Sequence, residues 1–451
     1  MSDETKGGLL DRTLRNLHNA WQNIAGSQYD AEAASMRPHL PDDDIRRLRE
    51  QMQACLDAKG GEVSARARAA ALGRAYLNLD EVGRQRFLRV LAEDFDVDEE
   101  SVNAAIDAVR TATDGALRRK AETNLQKALA APRVRLLTQF IALPEGMKFL
   151  VDMRAELLSL ARKDAIFRPV EADLKRLLTS WFDVGLLELH QITWDSAPAS
   201  LLERLIAYEA VHAIQSWDDL KNRLAPDRRC FAYFHPRMPD EPLIFVQVAL
   251  VDGLAGNVQE LLDEQAPAQD PQKADTAIFY SISNAQKGLA GISFGNFLIK
   301  RVVDSLSAEY KGIKTFATLS PIPGFRAWLE REMSEDETAK KLAAEPDWHQ
   351  NPEAAEALRT PMMRLCARYL AKEKRAQGTA LDPVAHFHLT NGARLERLNW
   401  MADTSETGLQ RAGGMMVNYL YKLGDIDANH EAYRGAGKVV ASQSIKGLAK
   451  K

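Results

Sequence analysis

Apolar residues recur at helical spacing through most of the first half of the chain and at strand spacing only later. Ile45, Leu48, Met52, Cys55 and Leu56 form one stripe of a helix opened by Pro41-Asp42-Asp43-Asp44, with carboxylates at its positive end. Ala-rich Ser64–Leu79 is a strong helix former. Glu81–Phe95, Ser101–Ala112 and Leu117–Ala130 follow, separated by Asp, Gly and Pro. Pro132 and Pro144 each stand where a new helix begins. Leu150, Met153, Leu157 and Leu160 make another stripe, and Leu174–Leu189 reads as a further helix. Scarcely any strand-like run falls between Leu9 and about His190, so a bundle of antiparallel helices is expected.

The pattern changes after the turn-rich junction Trp194-Asp195-Ser196-Ala197-Pro198. Ser200–Val211 is one more helix, and Ser216 caps a short one. Cys230–His235 and Leu243–Val251 are apolar or β-branched runs joined by a Pro-rich turn, and predict a hairpin. The stretch Asp275–Phe325 organises the rest. Ala277–Ser283 alternates like a pleated strand, and Gly288, Gly291 and Gly295 punctuate a turn. Phe297, Leu298, Val302, Leu306 and Tyr310 recur at helical spacing, which predicts a helix starting near Ser293 or Phe294. Phe316–Leu319 is a second strand, ending at Ser320. Pro323-Gly324 opens a helix through Arg331, and Ser334 to Glu337 reads as a capping box for Thr338–Ala344. Thr360–Ala376 reads as a helix with Pro361 in its first turn. Val384–Leu389 and Gly414–Tyr421 read as strands, and Leu395–Met401 as a helix. The class is α+β: an all-helical bundle over residues 1–194, then a mixed domain over residues 195–451.

Composition narrows the function. At 451 residues the chain exceeds one core, and 45% hydrophobic with 27% charged residues is ordinary for a globular protein. A net charge of -4 gives no general attraction for nucleic acid or an anionic membrane, so any phosphate site must be local. Cys55, Cys230 and Cys366 are widely spaced and form no CxxC pair, which fits a reducing compartment. No apolar run approaches the roughly 18 residues of a membrane span, and the start MSDETKGG lacks a secretory pattern. A cytoplasmic location is the expectation.

A strand, a glycine turn and a helix N-terminus leave free backbone N–H groups facing one spot, with the helix dipole behind them. The spacing matches neither the P-loop nor G-x-G-x-x-G, so anion binding and close helix–sheet packing both remain open. Ser320 lies at a strand end before Pro-x-Pro-Gly, which fixes the backbone around its hydroxyl. No G-x-S-x-G elbow is present, which disfavours an acyl-serine hydrolase. His386 and His388 share a face if their segment is extended, but no third metal ligand stands at a recognised spacing, and His430-Glu431 lacks the second His of HExxH. No residue of the helical half converges on chemistry; Arg66 and Arg68 point to different sides of their helix.

Several separated motifs stand out: Tyr208-Glu-Ala-Val-His212, Gly288-Leu-Ala-Gly291, Leu319-Ser-Pro-Ile-Pro-Gly-Phe325, Phe387-His-Leu389, Asn391-Gly-Ala393, Arg397-Leu-Asn-Trp-Met-Ala-Asp403 and Asn418-Tyr419 with Tyr421. Together they resemble the malonyl-CoA decarboxylases. They span about Phe182 to Tyr421, with a matching helical region before them. The resemblance implies a catalytic domain of the Gcn5-related N-acetyltransferase fold that turns malonyl-CoA into acetyl-CoA and CO2. It makes Ser320 and His388 the catalytic pair. It gives Ala290, Gly291, Ile292, Ser293, Phe294, Gly295 and Asn296 to the pyrophosphate and substrate, with Tyr421 lining the same pocket. Some relatives carry an acid where this chain has Ser293, so a carboxylate is absent there. No metal and no cofactor beyond the CoA thioester substrate is implied, nor any nucleic acid or membrane partner. A homo-oligomer formed through the helical domain is expected. A CoA-dependent N-acyltransferase and a non-enzymatic CoA-binding protein are the alternatives.

Overall fold

Aspartates start the helices of the first half. The side chains of Asp80, Asp98 and Asp114 accept the free N–H groups of Gly83, Ser101 and Ala116. The computed structural model describes Trp21 and residues 36–57, 61–292, 297–332, 336–344 and 347–450. The helices are α1 (Asp42–Leu56), α2 (Gly61–Asn78), α3 (Glu81–Glu93), α4 (Glu99–Thr111), α5 (Gly115–Ala128), α6 (Pro132–Ile141), α7 (Gly146–Lys163) and α8 (Arg168–Trp181). Their apolar stripes meet in a core of Leu48, Tyr76, Phe87, Phe140, Phe149, Leu157 and Leu174, all buried. Edge-on ring contacts such as Tyr76–Phe149, with centroids 5.5 Å apart, fix its packing. These helices form one unit up to Leu187, together with His235–Asp240 and the described part of Gln286–Ser293.

One expectation fails at the end of this run. The helix predicted over Leu174–Leu189 stops at Trp181, and β1 (Glu188–Ile192) follows as a strand. The backbone turns at Phe182, with φ -97 and ψ 44, and the emerging segment pairs antiparallel with a strand about 40 residues away in sequence. Tertiary pairing overrides the local preference.

The second unit holds β1, α9 (Ala199–Tyr208), α10 (Trp217–Arg223), β2 (Arg228–Phe234), β3 (Ile244–Val251), α11 (Val258–Leu262) and β4 (Thr276–Asn284). It continues with α12 (Phe297–Glu309), β5 (Thr315–Thr318), β6 (Ser320–Pro321), α13 (Phe325–Glu332), α14 (Glu337–Ala344), α15 (Pro352–Lys372) and α16 (Pro383–Thr390). β7 (Arg394–Asn399), α17 (Glu406–Ala412), β8 (Met416–Leu420), α18 (Ile426–Ala436) and α19 (Gln443–Lys450) complete it. The α+β class is as expected: helices first, then a mixed sheet in the order β1-β2-β3-β4-β5-β8-β6, with β7 also on β8. The β2–β3 hairpin forms as predicted. β4 and β5 run parallel because α12 carries the chain back between them, while the other pairs are antiparallel. Between β3 and β4 the register slips, placing Gln247 opposite Ser281 and Val248 opposite Phe279, so Tyr280 is an extra residue. One core cluster gathers Leu202, Leu205, Ala232 and Phe245; another gathers Ile278, Ala317, Leu319 and Met416.

Three further expectations are corrected here. Val384–Leu389 is helical, because Asp382 accepts the N–H groups of Val384 and Ala385 and Pro383 takes the first helical position. Leu395–Met401, expected as a helix, carries β7, whose pairing with β8 decides its conformation. The helix predicted to begin at Thr360 starts at Pro352 behind the Asn351 cap, which leaves Pro361 in its interior. Ser334 and the predicted start of α12 at Ser293 or Phe294 lie outside the described residues.

Candidate active site

Ser320 and His388 are 68 residues apart in sequence and meet in the second unit. Ser320 opens β6, where it pairs with Val417 of β8. Thr318 ends β5, and its hydroxyl oxygen accepts the N–H of Tyr419 at 3.1 Å. The amide of Asn418 donates to the Thr318 carbonyl at 2.7 Å and its oxygen accepts from Asn399 at 2.9 Å. This buried polar ladder fixes the strand ends that carry Thr318 and Ser320. His388 lies in the last turn of α16, which ends at Asn391 and at Gly392 with φ 79, the left-handed region that glycine adopts without strain.

The side chains form one line of hydrogen bonds. The Ser320 hydroxyl donates to Thr318 Oγ1 at 2.8 Å, and Ser320 Oγ stands 3.1 Å from His388 Nε2. On the other side of the ring, His388 Nδ1 stands 2.7 Å from the Tyr421 hydroxyl. The imidazole stacks on Tyr419, with centroids 4.4 Å apart and an angle of 25°. Burial alone pushes the His388 pKa down to about 3, so the ring is neutral. Burial also holds the Tyr421 phenol well above its ordinary value, so it keeps its proton. The proton positions then follow. The single Ser320 proton goes to Thr318, so Nε2 carries the ring proton and donates to Ser320 Oγ. Nδ1 is therefore bare and accepts from Tyr421. The line reads Tyr421 O–H to Nδ1, Nε2–H to Ser320, Ser320 O–H to Thr318.

His386, considered alongside His388 as a metal pair, points elsewhere. Two residues apart on a helix are on different sides, and His386 Nδ1 bonds the Tyr433 hydroxyl at 2.8 Å. Among the described residues no group of three or more His, Cys, Asp or Glu side chains is placed to hold a metal ion.

The glycine turn belongs to the first unit, where its described part packs on α7. A Cβ on Gly288 would fall 1.7 Å from the Val151 carbonyl oxygen, so this glycine allows close backbone packing. Arg154 of α7, 1% exposed, donates to the carbonyls of Gly288 at 2.5 Å and Ala290 at 2.9 Å. Ala290 and Gly291 are exposed and Ile292 is buried. Ser293, Phe294, Gly295 and Asn296 lie outside the described residues. Of the residues singled out in the sequence, Ser320, His388 and Tyr421 are brought together. The hydroxyl of Thr318 was not singled out and Tyr419 was named only as a motif residue, although each stands two residues from a singled-out position, as neighbours on one strand face do. Arg154 carried no local signal.

The sequence model of the malonyl-CoA decarboxylase C-terminal domain matches residues 185–451, and that of the N-terminal domain matches residues 95–182. The chain belongs to the malonyl-CoA decarboxylase family. A relative from Anser anser anser, named malonyl-CoA decarboxylase, mitochondrial, is 40% identical over 421 residues, covering 84% of this chain and 83% of its own. One of the same name from Rattus norvegicus is 38% identical over 403 residues, covering 81% of each chain. The crystal structure of malonyl-CoA decarboxylase from Rhodopseudomonas palustris superposes with a TM-score of 0.84 at 42% identity, covering 89% of this chain and 99% of that one. That from Agrobacterium vitis gives 0.83 at 41% identity, covering 90% and 100%. Among the described residues of this decarboxylase-family chain, no helix is long and apolar enough to cross a membrane.

Proposed function

We propose that this family member decarboxylates malonyl-CoA to acetyl-CoA and CO2, using Ser320 and His388 as a neutral, metal-independent proton relay. The observation that carries the reading is the hydrogen-bonded line from Tyr421 through His388 to Ser320, around an imidazole that burial keeps uncharged. Breaking the bond to the carboxylate carbon leaves its electron pair on the α-carbon, delocalised onto the thioester oxygen as an enolate. Hydrogen-bond donors at that oxygen lower the barrier, and a proton must reach the α-carbon. In this reading the Ser320 hydroxyl turns from Thr318 to deliver that proton. Nε2–H of His388 replaces it, Tyr421 O–H shifts toward Nδ1, and solvent returns one proton after the product leaves. A neutral ring with its proton on Nε2 suits this task because the donor already faces Ser320.

The chemistry is assigned to residues 195–451, and residues 1–194 are assigned to positioning and homo-oligomer formation. Supporting the second assignment, α4 buries no side chain and α5 buries only Ala121, while Leu117 and Leu129 are 53% and 56% exposed. Light scattering on the intact chain tests it, and a monomer at all concentrations removes it.

Incubation with malonyl-CoA alone, followed by mass spectrometry, tests the activity. Acetyl-CoA appearing without an acceptor, with one deuterium in heavy water, supports the decarboxylase. Acyl transfer only when an amine is added supports an N-acyltransferase, and binding without product supports a CoA-binding protein.

A further inference from the structure

We propose that Lys175, a residue of the helical unit, binds a phosphate of the CoA ester. The inference rests on the CoA reading above and adds a ligand from a region that showed no chemistry in its sequence. Lys175 lies on α8, four residues after Glu171, the spacing and order that favour a Glu–Lys pair on a helix. The structure does not form that pair. Glu171 is taken by Arg154, whose Nη2 and Nε stand 2.8 and 3.0 Å from its carboxylate. The Lys175 ammonium has no hydrogen bond or ion pair among the described residues. It stands 3.5 Å from the point where a Cβ on Gly291 would sit. A lysine cation thus lies directly over the glycine turn, half-buried and without a partner among the described residues.

The turn beneath it is arranged to meet the same ligand. Arg154 ties down the carbonyls of Gly288 and Ala290, which would otherwise repel an anion. Gly291 has φ 72 and is exposed, and its N–H takes no backbone acceptor among the described residues. Among the described residues the Lys175 ammonium has no partner and the Gly291 N–H has no backbone acceptor, so with the neighbouring carbonyls held by Arg154 two donors stand together at one exposed turn. A phosphate oxygen satisfies both. The chain's net charge of -4 supplies no general attraction, so a local cation has to provide it. Arg154 is then a positioning residue: it sequesters Glu171 and shapes the turn, leaving Lys175 available.

The experiment compares Lys175→Ala, Lys175→Glu and Lys175→Arg with the unaltered protein. The probes are malonyl-CoA and malonyl-N-acetylcysteamine, which has the same reacting end and no phosphate. Lys175→Ala is expected to lower kcat/KM for malonyl-CoA about tenfold relative to the phosphate-free ester, with Lys175→Glu larger and Lys175→Arg restoring most of the loss. The ratio separates phosphate binding from structural damage, which lowers both esters alike. Dephospho-CoA esters distinguish the source: a retained effect assigns the pyrophosphate, and a vanished one assigns the ribose phosphate. An unchanged ratio in both Lys175→Ala and Lys175→Glu overturns the inference. Calorimetric Kd values for CoA itself, on the same variants, need no turnover. A protein that binds CoA through Lys175 but releases no CO2 refutes the decarboxylase reading alone.

Discussion

Tyr421→Phe removes one hydroxyl and leaves the shape of the site nearly unchanged. The lost atom is the donor 2.7 Å from His388 Nδ1. His388 is 3% exposed, so water does not replace that donor, and Nδ1 becomes a buried acceptor with nothing to accept. An orphaned buried acceptor costs about 1 to 3 kcal/mol. The cost grows during the reaction, because negative charge builds on the ring as Nε2–H moves to Ser320 and the phenol no longer meets it. At about 1.4 kcal/mol per factor of ten, kcat falls by about 5- to 150-fold. KM changes little, since the hydroxyl is engaged with the imidazole. Steady-state release of CO2 measures the kinetics. Nitrogen NMR of the ring in the unaltered protein checks the cause by showing the proton on Nε2. A Tyr421→Phe enzyme within twofold of normal kcat, or a ring proton on Nδ1, refutes the reasoning. Tyr419→Phe gives the stability contrast. The Tyr419 hydroxyl is buried without a hydrogen-bond partner among the described residues, so its removal should leave Tm unchanged or raised, whereas Tyr421→Phe lowers it.

Ser320→Ala and His388→Ala are each expected to lower kcat by roughly a hundredfold or more, as for a lost acid or electrostatic group; near-normal turnover in either removes it from the relay. His388 also predicts a pH effect on stability. Its pKa falls from 6.5 to about 3 on folding, so the unfolded chain binds the extra proton first. The stabilisation is fully present above pH ~6.5 and is lost as pH falls toward ~3, on the order of 5 kcal/mol by the end. Denaturant titrations across that window should show a shallower loss for His388→Gln, and equal slopes would refute the burial argument. Asp382→Ala should lower Tm by several degrees and kcat with it. That carboxylate caps α16 through Val384 and Ala385 and also stands 3.4 Å from the Gly324 N–H, beyond Ser320. Asp382→Asn should recover part of both.

The succession of helices, the β2–β3 hairpin and the β4–turn–α12–β5 unit follow from residue order alone, because each is decided by spacing within a few turns or a few strand residues. Ser320 and His388 were legible as motif positions, and Tyr421 as a companion. Where the local signal was short or split, neighbours in space decided. Residues 188–192 became a strand because β2 offered a free edge, and β7 because β8 did. Val384–Leu389 is apolar enough for a strand, but the cap at Asp382 and Pro383 makes it a helix. That helix turns His386 away and leaves His388 facing Ser320. The state of the site is also a tertiary property. The Ser320 proton, the neutral ring and its Nε2–H form depend on burial and on the hydroxyls of Thr318 in β5 and of Tyr421 just after β8, neither adjacent to His388 in the chain. Lys175 shows the same division. Its sequence favours a routine pair with Glu171, and only the approach of Arg154 from another helix leaves it free. Local sequence determined most of the elements and which chemical groups they carry, and sheet pairing decided β1 and β7. Burial and long-range pairing decided which of those groups meet, and in what protonation state.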